Sequence, residues 1–174
     1  MRGGTGVPPA RIDSAPAAFH PVSEMHLSHA SCVALAGKGV LLRGPSGAGK
    51  SDLALRLIDG GGELVADDQV LCHGEGGVLF VSAPPALSGL IEVRGLGLIH
   101  LDYLPRAELV LVVDLVAPDR VERLSEPALC RLEGIDVPCL ALTPFEASAP
   151  AKLRLACAML ARGQALAEDV ALPA

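Results

Sequence analysis

Apolar residues occur along this chain mainly in short runs separated by glycine, proline and acidic residues. Short runs bounded by such turn residues are typical of β-strands. They predict strands at residues 29–35, 40–43, 63–66, 70–72, 78–82, 90–93, 98–101, 109–115 and 137–142. The first two are expected to form a hairpin across 36–39. Segment 109–115 is expected to be a buried strand, because its Val and Leu residues are continuous rather than alternating.

Two segments instead carry the spacing of an amphipathic helix. The first is predicted at 51–59 and ends at the triple glycine 60–62, because glycine is preferred just beyond a helix. The second is predicted at 150–168, with Ser148 as its N-cap and Pro150 in its first turn. Its apolar face is expected to carry Leu153, Ala156, Cys157 and Leu160. Many strands and few helices indicate an α/β domain with a mixed, partly antiparallel sheet.

The composition divides the 174 residues into a leader and one folded domain. Residues 1–18 are rich in Gly, Pro and Ala without periodicity, so they are predicted to be a disordered leader before a domain at 19–174. Hydrophobic residues make up 51% of the chain but aromatic residues only 2%. The core is therefore expected to consist of Ala, Val, Leu and Ile.

Charge and cysteine usage disfavour several classes of partner. The formal net charge of −6 argues against nucleic acid as the main ligand. The most apolar stretch, 109–117, is too short to span a bilayer and contains Asp114, so no membrane association is expected. Five cysteines without a C-x-x-C pair are expected to be reduced, buried thiols rather than disulfides or zinc ligands. These features predict a cytoplasmic location.

One octapeptide fits the phosphate-binding pattern G-x-x-x-x-G-K-[ST]. Its residues are Gly44, Pro45, Ser46, Gly47, Ala48, Gly49, Lys50 and Ser51. A predicted strand precedes it and a predicted helix follows it, so backbone N–H groups and the positive end of the helix would converge on phosphate oxygens. Lys50 would then reach the β- and γ-phosphates, and the Ser51 hydroxyl would hold Mg²⁺. The sequence predicts a nucleoside triphosphate site, and the alternative is a Gly/Ser-rich turn that happens to contain a lysine.

Two adjacent acids follow the predicted strand 63–66. Asp67 and Asp68 lie where a carboxylate can reach Mg²⁺ beside Ser51 in a P-loop protein. One acid could hold the metal while the other accepts a proton from the attacking hydroxyl. A solvated Asp-Asp turn is the alternative.

A second unusual group of residues is the segment 92–97. Glu92 and Arg94 are two residues apart, so on a strand both would face the same side. The glycines Gly95 and Gly97 would let the backbone approach a ligand closely. The charged pair could serve as a metal ligand and a phosphate clamp, or it could be a surface ion pair beside a glycine bend.

These segments together resemble the catalytic domain of HPr kinase/phosphorylase. The resemblance rests on 44–55, 64–68 and 90–97, which occur in the family's order and at similar spacing. Members of that family phosphorylate a serine of the phosphocarrier protein HPr with ATP, and they can reverse the step with inorganic phosphate. The resemblance implies an ATP- and Mg²⁺-dependent protein-serine kinase that regulates carbon metabolism, with an HPr-like carrier as its partner. It also implies a core similar to the nucleotide-binding core of phosphoenolpyruvate carboxykinase, and a homo-oligomer, which is a hexamer in the family.

Carried over by position, the resemblance assigns roles to individual residues. The implied catalytic residues are His29, Lys50, Asp67, Asp68 and Arg94, and the implied metal ligands are Ser51, Asp67 and Glu92. Asp68 becomes the proton acceptor, with Asp67 beside it at the metal. His29 corresponds to the family's active-site histidine, whereas without the resemblance a lone histidine at the start of a strand is more often structural.

Two departures from the family's pattern leave alternatives open. The family's fuller members carry a separate N-terminal domain, for which 174 residues leave no room. They also carry an arginine loop before the last helix, and residues 137–148 of this chain contain no arginine. The reverse reaction therefore stays open. The alternative function is a non-catalytic ATP-binding module that regulates a partner, while a kinase for a small metabolite is less favoured because no substrate lobe is visible.

Overall fold

The computed structural model describes residues 26–122 and 128–166. In chain order the strands are β1 (His26–Ser28), β2 (Ala30–Leu35), β3 (Lys38–Arg43), β4 (Glu63–Ala66), β5 (Val70–Glu75), β6 (Val78–Ser82), β7 (Leu90–Val93), β8 (Gly97–His100), β9 (Ala107–Leu115), β10 (Ala128–Leu132) and β11 (Ile135–Leu142). Helix α1 (Lys50–Asp59) lies between β3 and β4, and helix α2 (Ala149–Ala161) follows β11. The predicted leader at 1–18 lies outside the described residues.

Nine of these strands form one mixed sheet in which β9 is central. The order is β1-β5-β6-β9-β3-β2-β4, with β11 also beside β9 and β10 beside β11. Strand β9 pairs in parallel with β3 and with β11, and the other pairs of this sheet are antiparallel. Strands β7 and β8 form a separate two-stranded sheet. The prediction of an α/β domain with a mixed sheet is confirmed.

Four strands of the large sheet end at the same edge. In the β3–β9 pair Arg43 lies opposite Asp114, and in the β9–β11 pair Leu115 lies opposite Leu142. Strand β4 runs in the direction of β3, because both are antiparallel to β2. The segments that follow β3, β4, β9 and β11 therefore emerge at the same edge of the sheet. In open α/β sheets, ligands bind at the carboxyl ends of parallel strands.

The sheet carries an apolar layer on each face. Helices α1 and α2 cover one face through Leu53, Leu57 and Leu153, which pack against sheet residues that include Val40 and Val113. The opposite layer contains smaller side chains from β2, β3, β4, β5, β6, β9 and β11. Within the described residues no aromatic side chain is buried, in agreement with the predicted aliphatic core.

The β2–β3 hairpin was predicted and is confirmed, with a loop at Ala36 and Gly37. Both loop residues have positive φ, at 50° and 76°, as the tight hairpin turns that match strand twist require. Strands β1 and β10 were not predicted. Strand β5 extends to Glu75, beyond the end predicted at residue 72. His29 lies in a bend before β2 rather than within the strand.

Helix α2 is shorter than predicted. It runs over Ala149–Ala161 instead of 150–168, because Gly163 adopts a φ of 71° and the N–H of Gln164 turns back to the carbonyl of Met159. Residues 167 and 168 lie outside the described part. Ser148 occupies the N-cap position, but its side chain makes no capping hydrogen bond. In the described ranges 26–122 and 128–166, no helix is long and apolar enough to cross a membrane.

Candidate functional site

The glycine-rich loop connects the end of β3 to the start of α1. Gly47 and Gly49 have φ values of 80° and 89°, which L side chains rarely adopt, so the sequence needs glycine at these two positions. The first N–H groups of α1 have no acceptor within the helix and lie beside the loop. The ammonium of Lys50 folds back and donates to the carbonyl oxygens of Gly44, at 2.8 Å, and Pro45, at 3.1 Å. The loop therefore has the strand–loop–helix context that the sequence predicted.

Asp67 is the buried acid of the site, with only 5% of its surface exposed. Its carboxylate accepts hydrogen bonds from the Ser31 hydroxyl at 2.6 Å, the Ser51 hydroxyl at 2.9 Å and the backbone N–H of Glu92 at 3.1 Å. These donors belong to β2, α1 and β7. A single carboxylate thus connects the glycine-rich loop, the hairpin and the small sheet. Sequence reasoning missed Ser31, which is buried and marked only by its position within an apolar run.

Asp68, unlike Asp67, is exposed. The N–H of Gln69 donates to the carbonyl of Asp67 at 2.8 Å, which closes a three-residue turn around Asp68. Asp68 has a φ of 65°, a region that costs a non-glycine residue about 1 kcal/mol or more and that Asp tolerates better than most. Its carboxylate lies 4.0 Å from Nδ1 of His29, and both side chains are more than 70% exposed. The turn therefore separates the two acids into a buried group and an accessible one.

A cleft of about 420 Å³ brings most of the predicted residues together. Its lining includes Ser46, Gly47, Gly49, Lys50, Ser51, Asp67, Asp68, Glu92 and Arg94 from the predicted set, and Asp52, Leu55, Val93 and Phe145, which were not predicted. His29 approaches the cleft through its contact with Asp68. The predicted residues from three separate segments therefore share one cavity.

The position of Arg94 differs from the prediction. Strand β7 ends at Val93, and Arg94 lies in the turn that leads to Gly97 and β8. Glu92 and Arg94 therefore do not share the face of one strand, although both line the cleft and both are exposed. The strand ends here because Gly95 and Gly97 have φ values of 90° and 98°, which a tight hairpin turn uses and an extended strand does not.

The charges that line the cleft favour a polyanion accompanied by a divalent cation. Four acids and two bases face it: Asp52, Asp67, Asp68 and Glu92, and Lys50 and Arg94. A triphosphate alone would be repelled by this excess of acid, whereas a divalent cation bound between phosphate and carboxylates removes the repulsion. Mg²⁺ typically takes one or two carboxylates together with phosphate oxygens and waters. Ser51, Asp67 and Glu92 of the cleft lining carry oxygen donors of this kind.

The loop after β11 adds a wall that sequence reasoning missed. Arg56 of α1 donates to the carbonyl oxygens of Pro144 and Glu146, and Asp52 holds the same guanidinium at 3.0 Å. Phe145 lies between these two anchored carbonyls and lines the cleft. No motif marks Phe145 in the sequence, because it is an isolated aromatic residue in the loop that follows β11.

A second polar cluster lies behind the loop on the opposite face of the sheet. Arg43, the last residue of β3, donates to both carboxylate oxygens of Asp114 at 2.8 and 2.9 Å and contacts Sγ of Cys130 at 3.1 Å. The hydrogen bonds that Arg43 donates to Asp114 raise the pKa of the Arg43 guanidinium above its ordinary value. Burial raises the pKa of the neighbouring Cys139 thiol. Asp114, Cys130 and Cys139 have ligand atoms within 4.8 Å of one another, but the guanidinium of Arg43 already satisfies this cluster.

These features define a class: a mixed-sheet α/β domain with a glycine-rich loop and an acidic cleft at the carboxyl ends of its parallel strands. A family model described as the HPr serine kinase C-terminal domain matches residues 20–142. The chain belongs to this family. The match ends with β11, so the loop that carries Phe145 and helix α2 lie beyond it.

Individual relatives agree with the family assignment. The HPr kinase/phosphorylase of Mycoplasmopsis pulmonis is 43% identical over 94 residues, which are 50% of this chain and 30% of that protein. The HPr kinase/phosphorylase of Chlorobium luteolum is 37% identical over 130 residues, which are 67% of this chain and 39% of that protein. The chain thus matches about a third of the length of these curated relatives.

A solved structure shares the fold. The structure of the Hpr(Ser) kinase/phosphatase from Coxiella burnetii has a TM-score of 0.66 and 28% sequence identity, over 79% of this chain and 95% of that chain. The mixed α/β architecture described above is therefore that of a solved HPr kinase structure.

Proposed function

We propose that this chain is an ATP- and Mg²⁺-dependent protein-serine kinase that acts on an HPr-like phosphocarrier protein. The observation that carries the proposal is the single cleft in which the glycine-rich loop, Asp67, Asp68 and Arg94 meet, in a chain of the HPr kinase family. We extend the proposal to a cytoplasmic homo-oligomer that regulates carbohydrate metabolism, with a nucleotide-binding core of the phosphoenolpyruvate carboxykinase type.

In this proposal the loop and the first turn of α1 bind the phosphates of ATP. Backbone N–H groups and the ammonium of Lys50 neutralise charge on the β- and γ-phosphates, which is the main requirement of phosphoryl transfer. Lys50 leaves the carbonyl oxygens of Gly44 and Pro45 to do so. Mg²⁺, held by Ser51, Asp67 and Glu92, would supply further charge neutralisation when bound.

Asp68 is the proposed proton acceptor from the substrate serine. A base must be reachable by the hydroxyl of another protein, and Asp68 is 75% exposed whereas Asp67 is enclosed by three donors. His29 lies beside Asp68 and would orient it or the incoming serine. Arg94, at the exposed turn after β7, would contact the transferring phosphoryl group.

The test is a transfer assay with purified protein, Mg²⁺, γ-labelled ATP and an HPr-like carrier. Label on a carrier serine, lost when the carrier serine is replaced by alanine, supports the kinase. Adding inorganic phosphate to the phosphorylated carrier tests the reverse reaction separately. ATP binding without any transfer would instead indicate the ATP-binding regulatory module, which stays the second candidate because residues 137–148 contain no arginine.

A further inference from the structure

The ring of Phe145 is exposed at the edge of the cleft, where an apolar side chain is least expected. Phe145 is 67% exposed, although large apolar side chains gain free energy from burial. Its ring edge lies against Gly49: a methyl group on Gly49 would come within 2.8 Å of the ring Cζ. The ring therefore adjoins the last glycine of the loop, next to Lys50 and the start of α1.

The backbone around this exposed ring is anchored on both sides. Arg56 donates to the carbonyl oxygens of Pro144 and Glu146, and Lys152 of α2 forms an ion pair with the Glu146 side chain. A ring held on such a backbone loses little conformational freedom when a flat ligand covers it. The loop thus presents the ring of Phe145 from an anchored backbone.

The surroundings of the ring are suited to a planar partner. Leu55 and Val93 line the same cleft, so the region beside Phe145 combines apolar side chains with the polar phosphate loop. A nucleotide has this division, with phosphates at one end and a flat base at the other. The other phenylalanine in the described residues, Phe80, is already covered by Arg106, whose guanidinium lies 3.7 Å from the ring centroid.

We propose that Phe145 is the stacking platform for the nucleobase of the bound nucleotide. The inference rests on the proposed nucleotide-binding function and adds the subsite for the base, which no residue of the glycine-rich loop can supply. Because every base has a π-face, the platform selects for a nucleotide over inorganic polyphosphate and discriminates weakly among bases. In this proposal Phe145 binds the base and takes no part in the transfer of the phosphoryl group.

Calorimetric titrations with ATP and with inorganic tripolyphosphate, both with Mg²⁺, test this subsite. Phe145→Ala should weaken ATP binding by about 5- to 150-fold, the range for loss of one base–aromatic stack, and leave tripolyphosphate affinity within about twofold. Phe145→Trp should bind ATP at least as well as the wild type. Leu155→Ala is the matched control, because Leu155 is a similarly exposed apolar residue on α2 outside the cleft lining.

The same tryptophan variant gives a direct spectroscopic readout. The chain contains no tryptophan, so Phe145→Trp introduces a single fluorophore whose emission should change with ATP and not with tripolyphosphate. Unchanged ATP affinity in Phe145→Ala would overturn the base subsite and leave the proposed kinase intact. Equal losses for ATP and tripolyphosphate would also overturn it, since they would indicate a distorted loop. A wild-type protein that binds neither ligand would instead refute the proposed function, and the subsite with it.

Discussion

The hydroxyl of Ser51 lies 2.9 Å from the carboxylate of Asp67, which joins the first turn of α1 to the end of β4. The same carboxylate accepts from Ser31 and from the backbone of Glu92. A residue assigned to metal binding is therefore also a structural cross-link between three elements. Its neighbour Asp68 makes no comparable contact within the described residues, apart from the 4.0 Å approach to His29. The two acids should respond differently to the same substitution.

Asp67→Ala should destabilise the fold more than Asp68→Ala. Removing the Asp67 carboxylate leaves the buried Ser31 hydroxyl without its acceptor, and each such group costs about 1–3 kcal/mol. We expect the free energy of unfolding to fall by about 2–4 kcal/mol for Asp67→Ala and by about 1 kcal/mol or less for the exposed Asp68→Ala, because alanine tolerates the positive φ of residue 68 less well than aspartate does. Urea unfolding followed by circular dichroism measures both. Equal midpoints for the two variants would contradict the structural role of Asp67.

Asp68→Asn should remove phosphoryl transfer while nucleotide binding persists. Asparagine tolerates the positive φ of this position, so the turn should survive and only the base should be lost. Loss of a general base lowers the rate by about 10²- to 10⁴-fold. Single-turnover transfer to the carrier measures the rate, and Asp59→Asn, an exposed acid at the end of α1, is the control. A transfer rate within a few-fold of the wild type would exclude Asp68 as the proton acceptor.

Lys50→Met should weaken ATP binding by at least about tenfold, because it removes a charge-assisted contact to phosphate. Lys38→Met provides the matched control: Lys38 is the first residue of β3, and its ammonium pairs with Glu108 of β9 away from the cleft lining. Equilibrium binding of a fluorescent ATP analogue compares the two. The proposed role of Lys50 would be refuted by an unchanged affinity in Lys50→Met, or by equal losses in both variants.

Alkaline pH should destabilise the protein through buried thiols. Burial raises the pKa of Cys157 to about 11 from an ordinary value of 9.0. As the pH rises, the Cys157 thiol ionises in the unfolded chain before it ionises in the folded protein, and this favours unfolding. The contribution of the neutral thiol to the free energy of unfolding is therefore intact below about pH 9 and is lost between about pH 9 and 11. The urea midpoint should therefore fall across this interval, and it should fall less steeply in Cys157→Ala. Parallel curves for the two proteins would contradict the raised pKa.

The glycine-rich loop and its flanks could be predicted because their signal is local. Gly47 and Gly49 have positive φ, and the pattern of glycines before Lys50 reflects that requirement directly. The mixed sheet was predictable from the ratio of short apolar runs to helical segments. Strand order was not, because the pairing of β9 with β3 and β11 joins segments about 70 and 27 residues apart, for which a single sequence carries no register signal.

The rest of the site depends on contacts that no spacing rule describes. Ser31 reaches Asp67 across 36 positions of the sequence, and Arg56 reaches Pro144 across 88. Phe145 was overlooked because an isolated aromatic residue in a loop carries no motif. The length of α2 was overestimated because Gly163 was treated as part of an apolar helical pattern, although its positive φ ends the helix.

The most direct test of the central claim is phosphate transfer to a serine of an HPr-like carrier. The purified chain is incubated with Mg²⁺, ATP and the carrier, and the carrier is then analysed by intact mass and by peptide mapping. We expect one phosphate on a single serine, formed by the wild type and by Lys38→Met, and absent with Lys50→Met or Asp68→Asn. A carrier that stays unmodified in the presence of wild-type protein that binds ATP would contradict the kinase assignment.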